Sequence, residues 1–281
     1  MRVLAMLDGT LADADGPLVR ADDLGLLRGD GVFETVLVVD GRARELGPHL
    51  DRMARSAAML DLPRLDRAAW ERVAQVVIDA WSDAGEMALK LVYTRGPEFG
   101  DDVPTGYALG LPIGAKTLAN RVDGVTVLSL DRGFDPAIVE RAPWLLLGAK
   151  TLSYAVNMAA MRYVAAHGAD EAIFVASDGS VLEGPTSTVV LVEGGTMRTT
   201  PPTSGVLPGT TQAALFRAAE QAGWTTKVEP IHRADLDGAE GLFLASSVRK
   251  ITRVRVLDGV PLPDSAALHR ELSALYESEY A

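Results

Sequence analysis

The chain has 281 residues, 48% of them hydrophobic and 23% charged, which fits one large domain or two smaller ones with a sizeable core. The net charge of −11 argues against nucleic-acid binding, and the lack of cysteine excludes disulfides, thiolate metal sites and cysteine nucleophiles. Asp8 comes too early for a signal peptide and no apolar run reaches the ~20 residues of a membrane span, so we expect a cytoplasmic protein without membrane or nucleic-acid partners.

The first half of the chain predicts mixed strands and helices. Two β-rich runs within 32–46 are joined by Asp40-Gly41, a dipeptide typical of β-hairpins. Apolar residues at helical spacing then predict helices over 49–60 and 67–84.

The second half is richer in hairpins. Three more pairs of β-rich runs are joined by Asp-Gly or Gly-Gly, and they span 172–182, 189–199 and 251–262. Helices are predicted over 152–167, 211–222 and 265–280. Because hairpins pair their strands antiparallel, this pattern argues against a purely doubly wound α/β fold.

A domain boundary is predicted near residues 112–124, where the strand pattern breaks before a new strand begins at Val125. We therefore predict an N-terminal α+β domain over 1–115, an interdomain linker over 116–121 and a β-rich C-terminal domain over 122–281.

Only five of the 27 basic residues are lysines, a scarcity that the base composition of a GC-rich genome explains but that leaves few candidates for lysine chemistry. Lys150 follows an apolar run and precedes a predicted helix. Burial in an apolar pocket favours the neutral amine, the form in which a lysine attacks a carbonyl carbon. The alternative is a structural lysine whose stem lies on apolar surface. Lys116 has a similar local sequence but lies in the predicted linker, and Lys90 alternates outward in a strand.

An anion site is predicted at residues 208–211. Gly209 precedes Thr210 and Thr211 at a helix start, where backbone N–H groups and hydroxyls bind phosphate and glycine permits close approach. The alternative is an ordinary helix start capped by Thr210. A second hydroxyl-rich turn, which contains Ser247, follows a buried-looking strand.

Two charged residues are candidates of a different kind. Glu183 follows a hairpin at a strand end, and Arg52 lies off the apolar stripe of its helix. Taken alone, each is also compatible with a solvated surface position. The four histidines are widely spaced and form no metal-ligand pattern, so we expect no metal.

These features together resemble the class IV, fold-type IV pyridoxal-phosphate (PLP) enzymes, which include branched-chain aminotransferases, D-amino-acid aminotransferases and 4-amino-4-deoxychorismate lyase. The resemblance implies a two-domain α+β fold with an N-terminal α/β sandwich and a C-terminal, PLP-binding, β-rich pseudo-barrel. It also implies a homodimer. Seven segments carry the resemblance in order along nearly the whole chain: 28–36, 49–57, 92–96, 150–175, 178–192, 204–212 and 243–254.

The resemblance also implies roles for single residues. Lys150 is similar to the catalytic lysine that bonds covalently to PLP. Glu183 is similar to the carboxylate that keeps the pyridine nitrogen protonated, so that the ring accepts electrons. Arg52 is similar to the arginine that binds the cofactor phosphate. The remaining phosphate ligands implied are Thr210, Thr211 and Ser247.

The two aminotransferase groups differ from this chain near the substrate. D-amino-acid aminotransferases have a tyrosine where Phe33 stands and an Arg-x-His pair where this chain has residues 97–102. Here Glu98, Asp101 and Asp102 would repel a substrate carboxylate. Branched-chain enzymes differ at the positions of Arg28, Val248 and Arg249.

Residues 150–154 and 168–175 most resemble aminodeoxychorismate lyase, although that group often has an arginine at Gly100 and an asparagine at Thr188. Its substrate carries two carboxylates, which suits Arg28 and Arg249 as substrate-binding residues beside Phe33 and Val248. The alternative for Arg249 is an arginine at the rim of the site, facing solvent.

The resemblance therefore implies a PLP-dependent lyase that acts on a small carboxylate substrate. Lys150 would remove a proton from the substrate ring, pyruvate would leave, and the product would be 4-aminobenzoate, a folate precursor. Thr35 is the candidate proton donor to the departing group. The alternative is a class IV aminotransferase acting on D-amino acids or branched-chain amino acids.

Overall fold

A computed structural model describes residues 1–100 and 103–280. The chain divides into two units, of which the first comprises Met1–Gly114 and Ala149–Tyr154. The second comprises Ala115–Gly148 and the chain from Ala155 onward. The division therefore falls next to the predicted boundary, but the short segment that contains Lys150 belongs to the first unit.

The first unit is built on a six-stranded antiparallel sheet whose strands lie in the order β2-β1-β6-β5-β3-β4. The strands are β1 (Val3–Met6), β2 (Leu11–Ala12), β3 (Gly31–Val39), β4 (Arg42–Ala43), β5 (Met87–Thr94) and β6 (Gly106–Pro112). Its helices are α1 (Leu24–Arg28), α2 (Leu46–Met59) and α3 (Arg67–Asp79).

Alternation along β3 decides which side chains meet the helices. Val36 is fully buried on the face that α2 and α3 cover, and Met53 and Trp70 contribute from those helices. Phe33 and Thr35 lie on the opposite face, where Thr35 is paired with the exposed Lys90 of β5. The sheet thus has one face packed on helices and one that carries candidate site residues.

The second unit contains an eight-stranded mixed sheet with helices packed around it, in the order β11-β10-β9-β12-β13-β7-β8 with β14 paired to β13. The strands are β7 (Val125–Asp131), β8 (Glu171–Val175), β9 (Thr188–Glu193), β10 (Thr196–Thr199), β11 (Thr225–Val228), β12 (Gly241–Ser246), β13 (Lys250–Leu257) and β14 (Val260–Pro261). The helices are α4 (Ala115–Asp123), α5 (Ile138–Arg141), α6 (Ala155–Ala166), α7 (Thr210–Gln221) and α8 (Ala266–Ser278).

The predicted α+β class with a β-rich second part is confirmed, and the predicted hairpins form at their Asp-Gly or Gly-Gly turns. Asp40 and Gly41 both adopt positive φ, 49° and 72°, as a two-residue hairpin loop of this type requires. Within 1–100 and 103–280, no helix combines the length and the apolar character needed to cross a membrane.

Two sequence predictions need correction. The predicted linker, 116–121, lies inside helix α4, which packs on β13 and belongs to the second unit. The helix predicted from residue 152 begins instead at Ala155, because Leu152 lies in a non-helical bend and donates its N–H to the carbonyl of Gly31.

Candidate active site

Lys150 lies on an extended segment beside β3, and both of its backbone groups are fixed. Its carbonyl accepts the N–H of Phe33 at 3.1 Å, and its own N–H donates to the hydroxyl of Ser56 on α2 at 3.0 Å. Ser56 is buried. The sheet and the helix therefore position this lysine together, a constraint that the local sequence does not reveal.

The side chain of Lys150 lies among aromatic rings. Its Nζ is 4.5 Å from the ring centroid of Phe33 and 5.4 Å from that of Tyr154, and the two rings pack edge to face. Thr35 lies on the same face of β3 as Phe33, two residues further along. The structure thus brings Lys150, Phe33 and Thr35 to one face of the sheet. Tyr154 was not predicted, although its place four residues after the lysine is visible in the sequence.

Arg52 is buried in a charged cluster. Its Nε and Nη2 donate to the two oxygens of Glu34, each at 2.7 Å, and Nδ1 of His49 lies 2.7 Å from the same carboxylate. Glu34 is fully buried because it alternates with Val32 and Val36 on the helix-facing side of β3. A glutamate at such a position is a sequence signal for a buried partner, and neither Glu34 nor His49 was predicted.

The cluster shifts the ionisation of its members. Burial opposes ionisation of Glu34, but Arg52 and His49 outweigh burial and hold its pKa well below the usual range. Burial lowers the pKa of His49, an effect that Glu34 opposes and that the positive charges of Arg52 and Lys150 reinforce. At neutral pH, Glu34 is therefore charged and His49 is neutral.

Arg28 ends helix α1, and 68% of its side-chain surface is exposed. Its guanidinium lies 4.0 Å from the carboxylate of Glu98. Glu98 therefore partly offsets the positive charge of Arg28, and Arg28 in turn weakens the repulsion that Glu98 was expected to exert on a substrate carboxylate. Asp101 and Asp102, the other acidic residues expected to repel a carboxylate, lie outside the described residues.

The second unit places the predicted phosphate site at the start of α7. Thr210 and Thr211 are its first residues and are buried. The N-cap is Gly209, so the alternative in which Thr210 caps the helix is wrong. A Cβ on Gly209 would lie 2.3 Å from Oγ1 of Thr188, so glycine is required for this close approach. Helix N-H groups in such a cradle suit a phosphate.

Glu183 lies close in space to the segment that precedes α7. Its Oε2 accepts the N–H of Leu207 at 3.1 Å, two residues before Gly209. The carboxylate is half-buried and its orientation is set by the segment that leads into α7. The second unit therefore brings a carboxylate close to a helix N-terminus, and their roles toward a cofactor stay predictions.

The turn that contains Ser247 joins β12 to β13. Arg249, which ends this turn, is 8% exposed, so the solvent-facing alternative is wrong. Its Nη1 pairs with the fully buried Glu171 and its Nη2 donates to the hydroxyl of Thr186 at 2.7 Å. Arg249 thus contacts protein acceptors, and its role toward a substrate stays a prediction.

Comparison with known proteins places these features in a family. The family model described as amino-transferase class IV matches residues 31–257. A Mycobacterium tuberculosis protein named bifunctional aminodeoxychorismate lyase / D-amino acid transaminase is 44% identical over 270 residues, covering 93% of each chain.

Solved structures agree with this family. A Mycobacterium tuberculosis structure described as a hypothetical aminotransferase in PLP-bound form has a TM-score of 0.96 at 43% identity, covering 99% of this chain and 98% of that one. A fold IV transaminase from Curtobacterium pusillum has a TM-score of 0.93 at 42% identity, covering 98% of this chain and 99% of that one. A lysine amine, a carboxylate and a helix start closely approached by its neighbours are each chemically suited to PLP, and the chain belongs to the class IV aminotransferases, a PLP-dependent family of fold-type IV.

Proposed function

We propose that this enzyme is a 4-amino-4-deoxychorismate lyase that releases pyruvate and 4-aminobenzoate, a step that serves folate biosynthesis. The observation that supports the proposal is the relative named bifunctional aminodeoxychorismate lyase / D-amino acid transaminase, which is 44% identical over 270 residues that cover 93% of each chain. Lys150 with its aromatic neighbours and Thr35 on the same face supply a base and a hydroxyl for the proposed chemistry.

The proposed cofactor contacts follow from the chemistry of each residue. Lys150 would bond to the cofactor through its amine, and Glu183 would hold the proton on the pyridine nitrogen. Thr210, Thr211 and Ser247 would bind the phosphate, and Arg52, oriented by Glu34, would add its positive charge. PLP, when bound, supplies an electron sink for the electrons released at the substrate.

The protein groups then move protons at two places. The amine of Lys150 would act as the base that removes the proton from the ring carbon next to the substrate nitrogen. Loss of the enolpyruvyl group makes the ring aromatic, and the hydroxyl of Thr35 donates a proton to the departing group. Phe33 and Val248 flank the substrate in this proposal, and Arg28 binds a carboxylate from its exposed position.

Transamination of D-amino acids is a second candidate for the same site, because the same relative's name includes that activity. Transamination would use the same lysine as a base, but it would differ from the lyase reaction in the atom to which the lysine returns the proton. Branched-chain substrates are the remaining alternative.

The deciding experiment assays one preparation with aminodeoxychorismate and with pairs of amino acids and 2-oxo acids. Rapid release of 4-aminobenzoate with slow keto-acid formation is the result expected for the lyase. Keto-acid formation from D-alanine or a branched-chain amino acid, without 4-aminobenzoate release, would overturn it in favour of the aminotransferase.

The role of Lys150 has its own test. Lys150→Ala is expected to abolish the visible absorbance of the bound cofactor and to remove activity in both assays. Lys227→Ala is the matched control, because Lys227 is exposed on β11 and does not belong to the face of β3 that carries Phe33 and Thr35. A colourless wild-type protein that does not take up PLP would contradict the enzyme proposal itself.

We also propose a homodimer, and helix α6 supplies the support. This helix is rich in apolar residues, yet Val156, Met158 and Tyr163 are 53%, 44% and 50% exposed. Exposed apolar surface of this kind is typical of a protein–protein contact. Sedimentation analysis of the wild type and of Val156→Asp tests it: a dimer that the substitution dissociates is expected, and a monomeric wild type would contradict it.

A further inference from the structure

We propose that Arg121 and Glu171 are positioning residues that hold the Ser247 turn in the shape that binds the phosphate of PLP. The inference rests on the proposed function, in which Ser247 is a phosphate ligand. It concerns two residues to which the sequence assigned no role, one of them within the predicted linker.

The turn is short and its backbone is strained. Ser246 pairs with Lys250 across the β12–β13 ladder, which leaves only Ser247, Val248 and Arg249 to reverse the chain. Lys250 adopts φ +58°, a left-handed conformation that costs a residue with a Cβ free energy. Contacts from outside the turn therefore add to the ladder in holding this shape.

Arg121 supplies one such contact from helix α4. Its Nε and Nη2 both donate to the carbonyl oxygen of Val248, at 3.0 and 2.5 Å. Two donors from one planar guanidinium define the direction of that carbonyl better than one donor does. The peptide group immediately after Ser247 is thus fixed by a helix packed on β13.

Glu171 supplies the other contact through Arg249. Its buried carboxylate pairs with Nη1 of Arg249 and also accepts the hydroxyl of Thr186 at 3.2 Å. The carbonyl of Arg249 accepts a hydrogen bond from Thr252 at 3.2 Å. Because a buried arginine requires its charge partner, the side chain of Arg249 is anchored and the end of the turn cannot shift without breaking the pair.

The sheet register relates this turn to the start of α7. Ala245, at the end of β12, pairs with Thr188 at the start of β9. The hydroxyl of Thr188 lies against Gly209, the N-cap of α7. The turn and the helix start therefore lie at the same end of the sheet, and a shift of the turn would change the phosphate contacts and not the bond to Lys150.

The experiment compares the binding of PLP with that of pyridoxal, which lacks the phosphate, to protein stripped of cofactor. Arg121→Met is expected to raise the Kd for PLP by about tenfold, the equivalent of losing ~1.4 kcal/mol, and to leave the Kd for pyridoxal unchanged. Glu171→Gln is expected to act in the same direction and more strongly. Lys116→Met is the matched control on the same helix, because it removes only a surface pair with Asp170 in which Lys116 is 70% exposed.

The outcomes separate the explanations. A loss confined to PLP supports positioning of the turn. Equal losses for both compounds, or none in Arg121→Met, would overturn it, since a general structural defect does not discriminate between them. Arg121→Lys, which keeps the charge but not the two-donor fork, is expected to lie between wild type and Arg121→Met. A wild type that binds neither compound would refute the proposed function itself, and with it the role of the turn.

Discussion

Each unit buries a glutamate against an arginine, but the two pairs are built differently. Glu34 and Arg52 come from a strand and a helix, and the guanidinium donates two parallel hydrogen bonds to the carboxylate. Glu171 also comes from a strand, whereas Arg249 comes from a turn and shares its donors between Glu171 and Thr186. The first pair joins strand β3 to helix α2, whereas the second joins the turn between β12 and β13 to strand β8.

This difference teaches what each pair contributes. Strand β3 and helix α2 are also held by a buried apolar interface, so the Glu34–Arg52 pair adds to a frame that apolar packing already defines. The turn before Lys250 joins two buried strands but is itself irregular. We therefore expect the loss of either buried carboxylate to lower stability. In our proposal, loss of Glu34 also releases Arg52, and loss of Glu171 releases the turn that contains Ser247.

The largest effect is expected for Glu34→Gln. It leaves the buried charge of Arg52 without its carboxylate, and removal of one partner from such a pair costs about 3–5 kcal/mol in the free energy of unfolding. Chemical denaturation measures the change. Glu71→Gln, which removes an exposed partner of Arg67, is the control and should cost less than about 1 kcal/mol. Equal losses in the two variants would show that burial does not distinguish these pairs.

The same cluster predicts loss of stability in acid. Because the pKa of Glu34 is lowered in the folded state, its contribution is present above the ordinary value of 4.5 and is lost as the pH falls below it. The pKa of His49 is lowered too, so protonation of the unfolded state below pH 6.5 adds to the loss.

Melting temperatures between pH 7 and pH 4 test this prediction. In a His49→Gln background, which removes the titration of His49, the parent should lose more than its Glu34→Gln derivative over that range, so the difference between them should narrow in acid. Parallel curves would contradict the assignment of the acid-sensitive charge to Glu34.

Features that neighbouring residues determine could be predicted from the sequence, whereas contacts between residues far apart in the chain could not. Asp40-Gly41 predicts its hairpin because positive φ at both positions is a property of those residues. Gly209 before Thr210 likewise predicts a helix start. The Glu34–Arg52 pair and the contact between Arg121 and Val248 join residues far apart in the chain, and no local pattern specifies such contacts.

Residue 150 shows the same limit at the site itself. The apolar residues that precede Lys150 indicated a lysine with a chemical role, but the residues that follow it are typical of the start of a helix. Hydrogen bonds to β3 and α2 hold Lys150 extended, and these tertiary contacts override the local preference.

An intermediate effect is expected where α2 holds Lys150, the proposed catalytic lysine. Ser56→Ala leaves the N–H of Lys150 without the hydroxyl acceptor and should cost about 1–2 kcal/mol of unfolding free energy. It should also weaken PLP binding, because the lysine loses its backbone anchor. Ser153→Ala, which removes an exposed hydroxyl bonded to Gly29, is the control for both measurements. A variant with normal stability and normal PLP binding would show that β3 alone positions Lys150.

The smallest change in unfolding free energy is expected at Lys250, which follows the turn that contains Ser247 and has a positive φ. Lys250→Gly removes the penalty of the left-handed conformation, and Lys250→Ala retains it, while both lose the ion pair with Glu277. The two variants should therefore differ by about 1 kcal/mol in unfolding free energy, with glycine the more stable. If Arg121 and Glu171 hold the turn, relief of this strain should not alter PLP affinity, because the contacts and not the backbone preference set its shape. Equal stability of the two variants would show that the φ of Lys250 stores no strain. Tighter PLP binding by the glycine variant would show that the turn is not held from outside.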